Sequence, residues 1–275
     1  VSISLSDEQL LREASALARS AAETIRSYFH QPLEKEKKAD RSPVTAADLA
    51  ADRLIREGLQ RIFSDHGILT EETAYQKGKN DDWIWVVDPL DGTKAFAQGI
   101  PGFCVMIGLL KAGIPYLGVV VDPLEGREYQ AVRGKGAFHL FSGKKEKLVV
   151  SKRADFKEMP LVISTGFPDP KLEKAKQELG CPVLPPINSV GVKVGLLVRQ
   201  LGDIYLNHHG VHYWDTCAPQ MILEEAGGMM TLLNGKPLEY DFSSGAAGMS
   251  HPMPTLATNG TRHQDLIEYI KDLSL

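Results

Sequence analysis

Apolar side chains recur every three or four positions through the opening segment. Leu10, Leu11, Ala14, Leu17, Ala18, Ala21, Ile25 and Phe29 share one helical face. Ser6 and Gln9 stand ahead of that stripe with capping-box spacing, so an amphipathic helix is predicted to start there. The lysine-rich interval 34–42 carries no apolar period and reads as a solvated loop. A second helix is expected from Thr45, with Leu49, Leu54, Ile55, Leu59, Ile62 and Phe63 turned inward, ending near Gly67.

From Trp83 the pattern changes to short apolar or alternating runs divided by Gly and Pro, at 83–87, 103–110, 116–121 and 128–132. These predict a mostly antiparallel sheet beside the two helices. Beyond residue 150 strand and helix alternate: strand 161–165, a helix from Lys171, a helix 189–201, strand 204–206, a helix from Thr216, then strand 229–233. No linker rich in Pro, Gly or Ser interrupts the chain. The expected organisation is an α+β half over 1–150 and an α/β half over 151–275, packed closely with a cleft between them.

Charge narrows the partners. The 31 Lys and Arg nearly balance the 35 Asp and Glu, for a net charge of -4, which disfavours the phosphate grip that polymeric nucleic acid rewards. Lys111 interrupts the longest apolar run, and the N-terminus lacks a basic-then-apolar signal, so the expectation is a cytoplasmic chain with no membrane span. Cys104, Cys181 and Cys217 are widely spaced and odd in number, suiting neither a disulfide framework nor a zinc knuckle.

The strand from Trp83 ends in Asp88-Pro89-Leu90-Asp91-Gly92-Thr93. Pro89 forces the chain round, so that Asp88 and Asp91 can point into one space; two carboxylates there are costly unless cations neutralise them. Hard oxygen ligands of this kind suit Mg2+. If a helical turn starts at Gly92, the N–H groups of Gly92, Thr93 and Lys94 offer an anion site beside those ions. Asp-Gly is also ordinary turn chemistry. A haloacid-dehalogenase phosphatase would carry Asp-x-Asp-Gly-Thr; the spacing of three from Asp88 to Asp91 points instead to attack by water, with no aspartyl-phosphate intermediate.

This hexapeptide, with Glu71-Glu72 ahead of it and Trp214-Asp215 behind it, resembles the inositol monophosphatase family, the Mg2+-dependent, lithium-sensitive phosphatases of small phosphorylated molecules. The run Trp214 to Pro219 followed by Glu225-Ala226-Gly227-Gly228 extends the likeness over nearly the whole chain. The resemblance implies an α+β fold, a layered αβαβα sandwich with the metals between its halves. It implies that Glu71, Asp88 and the Leu90 carbonyl hold a first Mg2+, and that Asp88, Asp91 and Asp215 hold a second. A third, weaker ion near Glu71 and a supporting role for Glu72 are implied too. Thr45 and Asp48 form a capping box, and the resemblance adds that Asp48 and Thr93 orient the attacking water. Without it, Asp215 would read as a helix N-cap after a core tryptophan. Family members are often dimers, so a homodimer is the matching expectation.

Within the family, Trp214-Asp215-Thr216-Cys217-Ala218-Pro219 and the Lys94 and Phe96 after Asp-Gly-Thr look most like the 3'(2'),5'-bisphosphate nucleotidase branch. That branch implies adenosine 3',5'-bisphosphate as substrate, with Gly92, Thr93 and Lys193 binding it and Lys193 near the second phosphate; alone, a helical lysine reads as solvated. Ser164 to Phe167 and Asn207 depart from the branch pattern, and Ser189-Val190-Gly191 resembles the inositol monophosphatases proper. Inositol 1-phosphate is therefore the alternative, with histidinol phosphate or a sugar bisphosphate behind it. A sensor that binds a phosphorylated nucleotide without turnover is the reading from another class. His208, His209 and His212 match no zinc spacing and are expected at a polar cleft rim.

Overall fold

The computed structural model describes residues 6–29, 35–37, 43–167, 169–243 and 248–273. Its elements run α1 (Asp7–Tyr28), β1 (Lys35–Lys37), β2 (Pro43–Thr45), α2 (Ala46–Ile62), β3 (His66–Thr70), β4 (Asn80–Asp91), α3 (Thr93–Gln98), β5 (Cys104–Lys111), β6 (Ile114–Val121), β7 (Glu128–Val132), β8 (Gly136–Phe141) and β9 (Lys144–Leu148). A 3-10 turn (Phe156–Glu158) leads to β10 (Leu161–Ile163), α4 (Asp169–Leu179), α5 (Val190–Val198), β11 (Ile204–Leu206), α6 (Tyr213–Glu225), β12 (Met229–Leu232), β13 (Thr255–Thr258) and α7 (His263–Leu273).

Five layers follow from which faces are apolar. The larger sheet has the order β3-β4-β5-β6-β7-β8-β9, antiparallel except for the parallel pair β3 and β4. Trp85, Val87, Val105, Ile107, Leu117 and Val119 point from one of its faces into Leu10, Leu17, Ile25, Ile55 and Leu59 of α1 and α2. From the other face Val86, Met106, Val120 and Tyr129 meet Val194 and Leu197 of α5 and Met221 and Ile222 of α6. The smaller sheet, ordered β10-β11-β13-β12, packs Val162, Tyr205 and Ala257 onto those helices. Its other side packs Ile204, Leu206 and Leu256 against Leu266, Ile267 and Ile270 of α7. Each such side chain contributes roughly 1.5–3 kcal/mol on burial. The arrangement is the expected αβαβα sandwich.

Two glycines set the height of α6 above the sheet. Gly108 and Gly118 are paired across β5 and β6, and a Cβ on either would stand 2.5 Å from Cys217 Sγ or from the Ala218 carbonyl oxygen. Only hydrogen at both positions lets the helix lie this close, which brings its first turn over the end of β4.

Several expectations change. Part of the interval 34–42 is strand, since β1 pairs antiparallel with β2; residues 34 and 38–42 lie outside the described residues. Leu49 is 50% exposed, because the inward stripe of α2 is Ala47, Asp48, Ala51, Asp52, Ile55, Gly58 and Leu59. Ile55, Leu59 and Phe63 are buried as expected and Leu54 and Ile62 pack against the same core, so Leu49 alone leaves the expected face, at the end where two acids, Asp48 and Asp52, point inward. The helix ends at Ile62, and the stretch through Gly67 becomes β3. β9 has four exposed residues and one buried; a lysine-rich edge strand has no alternation to detect and forms through its ladder to β8. α6 starts at Tyr213, three residues before the expected Thr216.

Candidate active site

β4 pairs regularly with β5 as far as Asp88 opposite Met106, then shifts so that Asp91 stands opposite Cys104. In a regular strand, residues three apart face opposite sides; the bulge inserts one residue and returns Asp91 to the side of Asp88. Pro89 has no N–H for the ladder, and the Leu90 amide donates instead to Asp88 Oδ1 at 3.0 Å. The first turn of α6 adds Asp215. One oxygen from each of Asp88, Asp91 and Asp215 lies within 4.8 Å of the others.

Burial and mutual repulsion here oppose ionisation of the carboxyls. Burial, then the charges of Glu71, Asp91 and Asp215, push the Asp88 carboxyl well above the usual carboxylate range. Burial raises Asp91 to about 6, with Asp215 adding to it and the Ser189 and Gly191 hydrogen bonds and the Lys193 charge opposing. Carboxylates this close ionise together only around a cation, and an all-oxygen donor set fits a small hard divalent ion. Like Asp88, which the Leu90 amide holds, the other two are pre-oriented. Asp91 Oδ2 accepts from Ser189 Oγ at 2.6 Å and Gly191 N at 2.8 Å, which leaves Oδ1 as the oxygen for a ligand ion. Asp215 Oδ2 accepts from the His212 amide at 2.6 Å, so Asp215 sits inside the helix as a capping residue while joining the cluster.

The remaining predicted residues gather around this centre. Glu71 follows β3, where its amide donates to the Val87 carbonyl at 3.1 Å; its side chain hydrogen-bonds Asp88. Glu72 is half-buried in the same turn. The Leu90 side chain is buried, and its carbonyl lies 3.0 Å from Thr93 Oγ1. That same hydroxyl is 3.1 Å from Asp48 Oδ1, so one proton is shared between two acceptors. Asp48, 1% exposed, also accepts from the Thr45 amide at 2.8 Å; burial raises its carboxyl, against the hydrogen bonds from Thr45 and Thr93. Gly92 has φ 95° at the start of α3, and a Cβ there would meet the Gly102 carbonyl oxygen at 2.6 Å.

A cavity of about 240 Å³ opens over these groups. Glu71, Asp91, Gly92, Thr93, Lys94 and Asp215 line one side; Ser164, Thr165, Asn188, Lys193, Asn207 and His209 line the other. Lys193 is not solvated: it is 1% exposed, with Nζ donating to Ser164 Oγ at 2.8 Å and to the Ile187 and Asn188 carbonyls at 3.1 Å. Burial lowers it to about 8, and the charges of Asp91 and Asp215 oppose that. Of the three histidines, His209 reaches the cavity, His208 meets Phe167 edge-on at 4.9 Å, and His212 stacks on Trp214 at 4.4 Å.

Sequence reasoning passed over three supports. Ser189 is expected as a helix start and as part of a motif bearing on the substrate, yet it holds Asp91. Ser164 anchors Lys193. His251, 4% exposed, shares a 2.8 Å hydrogen bond with Thr216, next to Asp215, and its amide donates to the Val211 carbonyl. A serine before a helix hints at a cap; nothing local marks His251.

The sequence profile described as the inositol monophosphatase family matches residues 6–272. The chain belongs to that family. A 3'(2'),5'-bisphosphate nucleotidase CysQ of Escherichia coli (strain K12) is 34% identical over 238 residues, 84% of this chain and 94% of the relative. The Nus factor SuhB of Pasteurella multocida (strain Pm70) is 31% identical over 236 residues, 82% and 86% of the two chains. Among solved structures, an inositol monophosphatase from Anabaena (Nostoc) sp. PCC 7120 superposes with a TM-score of 0.76 at 27% identity, covering 96% of each chain. The chain is thus a phosphatase of the inositol monophosphatase family, and no helix among its described residues is long and apolar enough to cross a membrane.

Proposed function

We propose that this phosphatase uses Mg2+ to remove a phosphate from a small phosphorylated metabolite, and that adenosine 3',5'-bisphosphate, cleaved at its 3'-phosphate, is that metabolite. One observation carries the chemistry: Asp91 and Asp215 of the acidic cluster and Thr93 of the Asp48–Thr93 pair line a single cavity, with Asp88 and Asp48 buried directly behind them as their partners. In this reading the N-terminal half, 1–150, supplies Glu71, Asp88, the Leu90 carbonyl and Asp91. The C-terminal half, 151–275, adds Asp215 and the substrate contacts.

Bound Mg2+ supplies charge neutralisation at the phosphate and acidification of water. The chain's own groups do the rest. Thr93 Oγ1 accepts a proton from the attacking water while passing its own to Asp48 Oδ1, a carboxylate whose raised affinity for protons suits it to receive one. The anchored oxygens of Asp91 and Asp215 hold their partners in fixed directions, so little reorganisation accompanies the reaction. Gly92 lets the start of α3 present the Thr93 and Lys94 amides to the phosphate. Lys193, its protons committed to Ser164 and two carbonyls, favours a second phosphate through its charge beneath the cavity wall.

Likeness to the nucleotidase CysQ supports the nucleotide substrate. Likeness to a solved inositol monophosphatase supports inositol 1-phosphate as the alternative. Ser189-Val190-Gly191 argues for neither, since Ser189 and Gly191 bind Asp91 and serve the acidic site whichever ester is present. The test is phosphate release from adenosine 3',5'-bisphosphate, inositol 1-phosphate, histidinol phosphate and fructose 1,6-bisphosphate, with Mg2+ and with chelator. The highest kcat/KM is expected for the nucleotide. A preference for another ester discards the nucleotidase assignment, and Mg2+-dependent binding without release from any of them favours a sensor.

A further inference from the structure

Helix α2 presents two buried aspartates one turn apart, Asp48 at 1% and Asp52 at 4% exposure. Asp48 reaches Thr93. Asp52 has no part in the chemistry above, yet it makes the same kind of contact on the opposite arm of the site: its Oδ2 accepts from Thr73 Oγ1 at 3.0 Å. Thr73 belongs to the turn that carries Glu71. That turn is tied at three points: the Glu71 amide to the Val87 carbonyl of β4 at 3.1 Å, the Thr73 amide to Thr70 Oγ1 at 3.1 Å, and the Thr73 hydroxyl to α2. The first two fix where the turn begins and closes; the third sets its angle over the end of β4, and with it the direction of Glu71.

Stability alone gives Asp52 a poor reason to be buried. Arg56 lies 3.6 Å from Oδ2, and Oδ1 is buried with no hydrogen-bond partner among the described residues. A half-satisfied buried carboxylate contributes little to folding and can cost free energy. What it does secure is the Thr73 hydroxyl. We propose that Asp52 is a positioning residue for Glu71, acting through Thr73, so that α2 aligns the Glu71 turn and the Asp-Gly-Thr turn on one divalent-cation site. The inference rests on the metal-dependent reading above and extends it to two residues outside the ligand set.

Thr73 is exposed on the outer side of its turn, which allows a substitution that leaves the core intact. Thr73→Val removes the donor at nearly constant volume, and Thr73→Ser keeps it. Each protein is titrated with Mn2+, following loss of the free-ion electron paramagnetic resonance signal, and separately with Mg2+ in phosphate release. Thr73→Val is expected to raise both half-saturating concentrations about tenfold, with kcat at saturating Mg2+ within about threefold of wild type. Thr73→Ser should match wild type in both. Wild-type Mn2+ affinity in Thr73→Val, or equal impairment in Thr73→Ser, would overturn the assignment. Failure of the wild-type chain itself to bind Mn2+ would overturn the metal-dependent reading and this inference together.

Discussion

Asp203 and Asp91 are both buried, 0% and 6% exposed, and their carboxylates keep opposite company. Asp203, just before β11, is surrounded by donors. Arg153 Nε lies 2.6 Å from Oδ2, Ser151 donates to Oδ1, and Asn259 Nδ2 adds a 3.2 Å bond to the same oxygen. This network ties the segment entering β10 to two strands of the smaller sheet, and nothing in it is left for a ligand. Asp91 also has donors on one oxygen and feels the Lys193 charge, but Asp88 and Asp215 beside it share its own charge. On the proposed reading, the difference separates a buried acid that holds the fold from one that waits for a cation: the first is complete within the protein, the second only with an ion added.

Substitution sharpens the contrast most. Asp91→Asn should lower kcat by about 10³-fold or more, since it removes a proposed metal ligand, worth several kcal/mol of charge stabilisation. Its melting temperature in chelator should not fall, because a repulsive charge leaves the fold. Wild-type turnover in this variant would remove Asp91 from the site. Asp203→Ala should do the reverse. It is expected to cost about 3 kcal/mol of stability in urea unfolding, with kcat at saturating Mg2+ kept within a few-fold below the transition. If it abolished turnover without unfolding, the division drawn between the two clusters would fail.

Cation binding comes next in size. At a hundredfold excess over Kd, Mg2+ should stabilise the chain by about 2.7 kcal/mol, read as a thermal shift that chelator reverses. Its pH dependence has a definite sign. The folded-state pKa of Asp91 is raised to about 6, so the stability its proton contributes is complete below its ordinary 3.8 and lost as pH rises through 6. The apo chain therefore carries the full repulsion at pH 8, and the Mg2+ shift should be larger there than at pH 5. An equal shift at both would mean that the ion binds elsewhere.

His263 offers a smaller test on the structural side. It lies between Thr231 and Thr258 at 2.9 Å each, and burial lowers it to about 4. A base with a depressed pKa contributes stability above its unfolded value near 6.5, and that contribution is lost as pH falls through 4. His263→Gln should flatten this acid limb in thermal melts at constant chelator. The smallest effect belongs to Leu49→Gln: half-exposed, Leu49 should tolerate the change within about 0.5 kcal/mol. A larger loss would show that its outward face is covered.

How much was legible in the sequence follows the reach of each interaction. Strands 128–132 and 204–206 were read to the residue, because apolar runs bounded by turn residues reflect local burial. β9 and the outward turn of Leu49 in α2 were missed where the sheet ladder or function, not hydrophobicity, set the pattern. In the site, the chemistry of Asp88-Pro89-Leu90-Asp91-Gly92-Thr93 was visible because the bulge, the turn and the helix start all lie within six residues. The burial of Lys193, which the resemblance had placed near the second phosphate, was not: it depends on what covers the side chain, and Ser164 and the 187–188 carbonyls are remote from any pattern on its own helix.

The sequence by itself therefore determined the local geometry of β4 and its turn, much of the succession of helices and strands, and the family to which the chain belongs. Only the tertiary structure decided that Thr93 meets Asp48 across 45 positions, that Asp91 is held by Ser189 across 98, and that Asp52 secures the turn of Glu71. The physical reason is that periodicity and turn chemistry act between neighbours in the chain. Desolvation, charge repulsion and the satisfaction of a buried carboxylate depend on which distant segments the fold brings within a few ångströms.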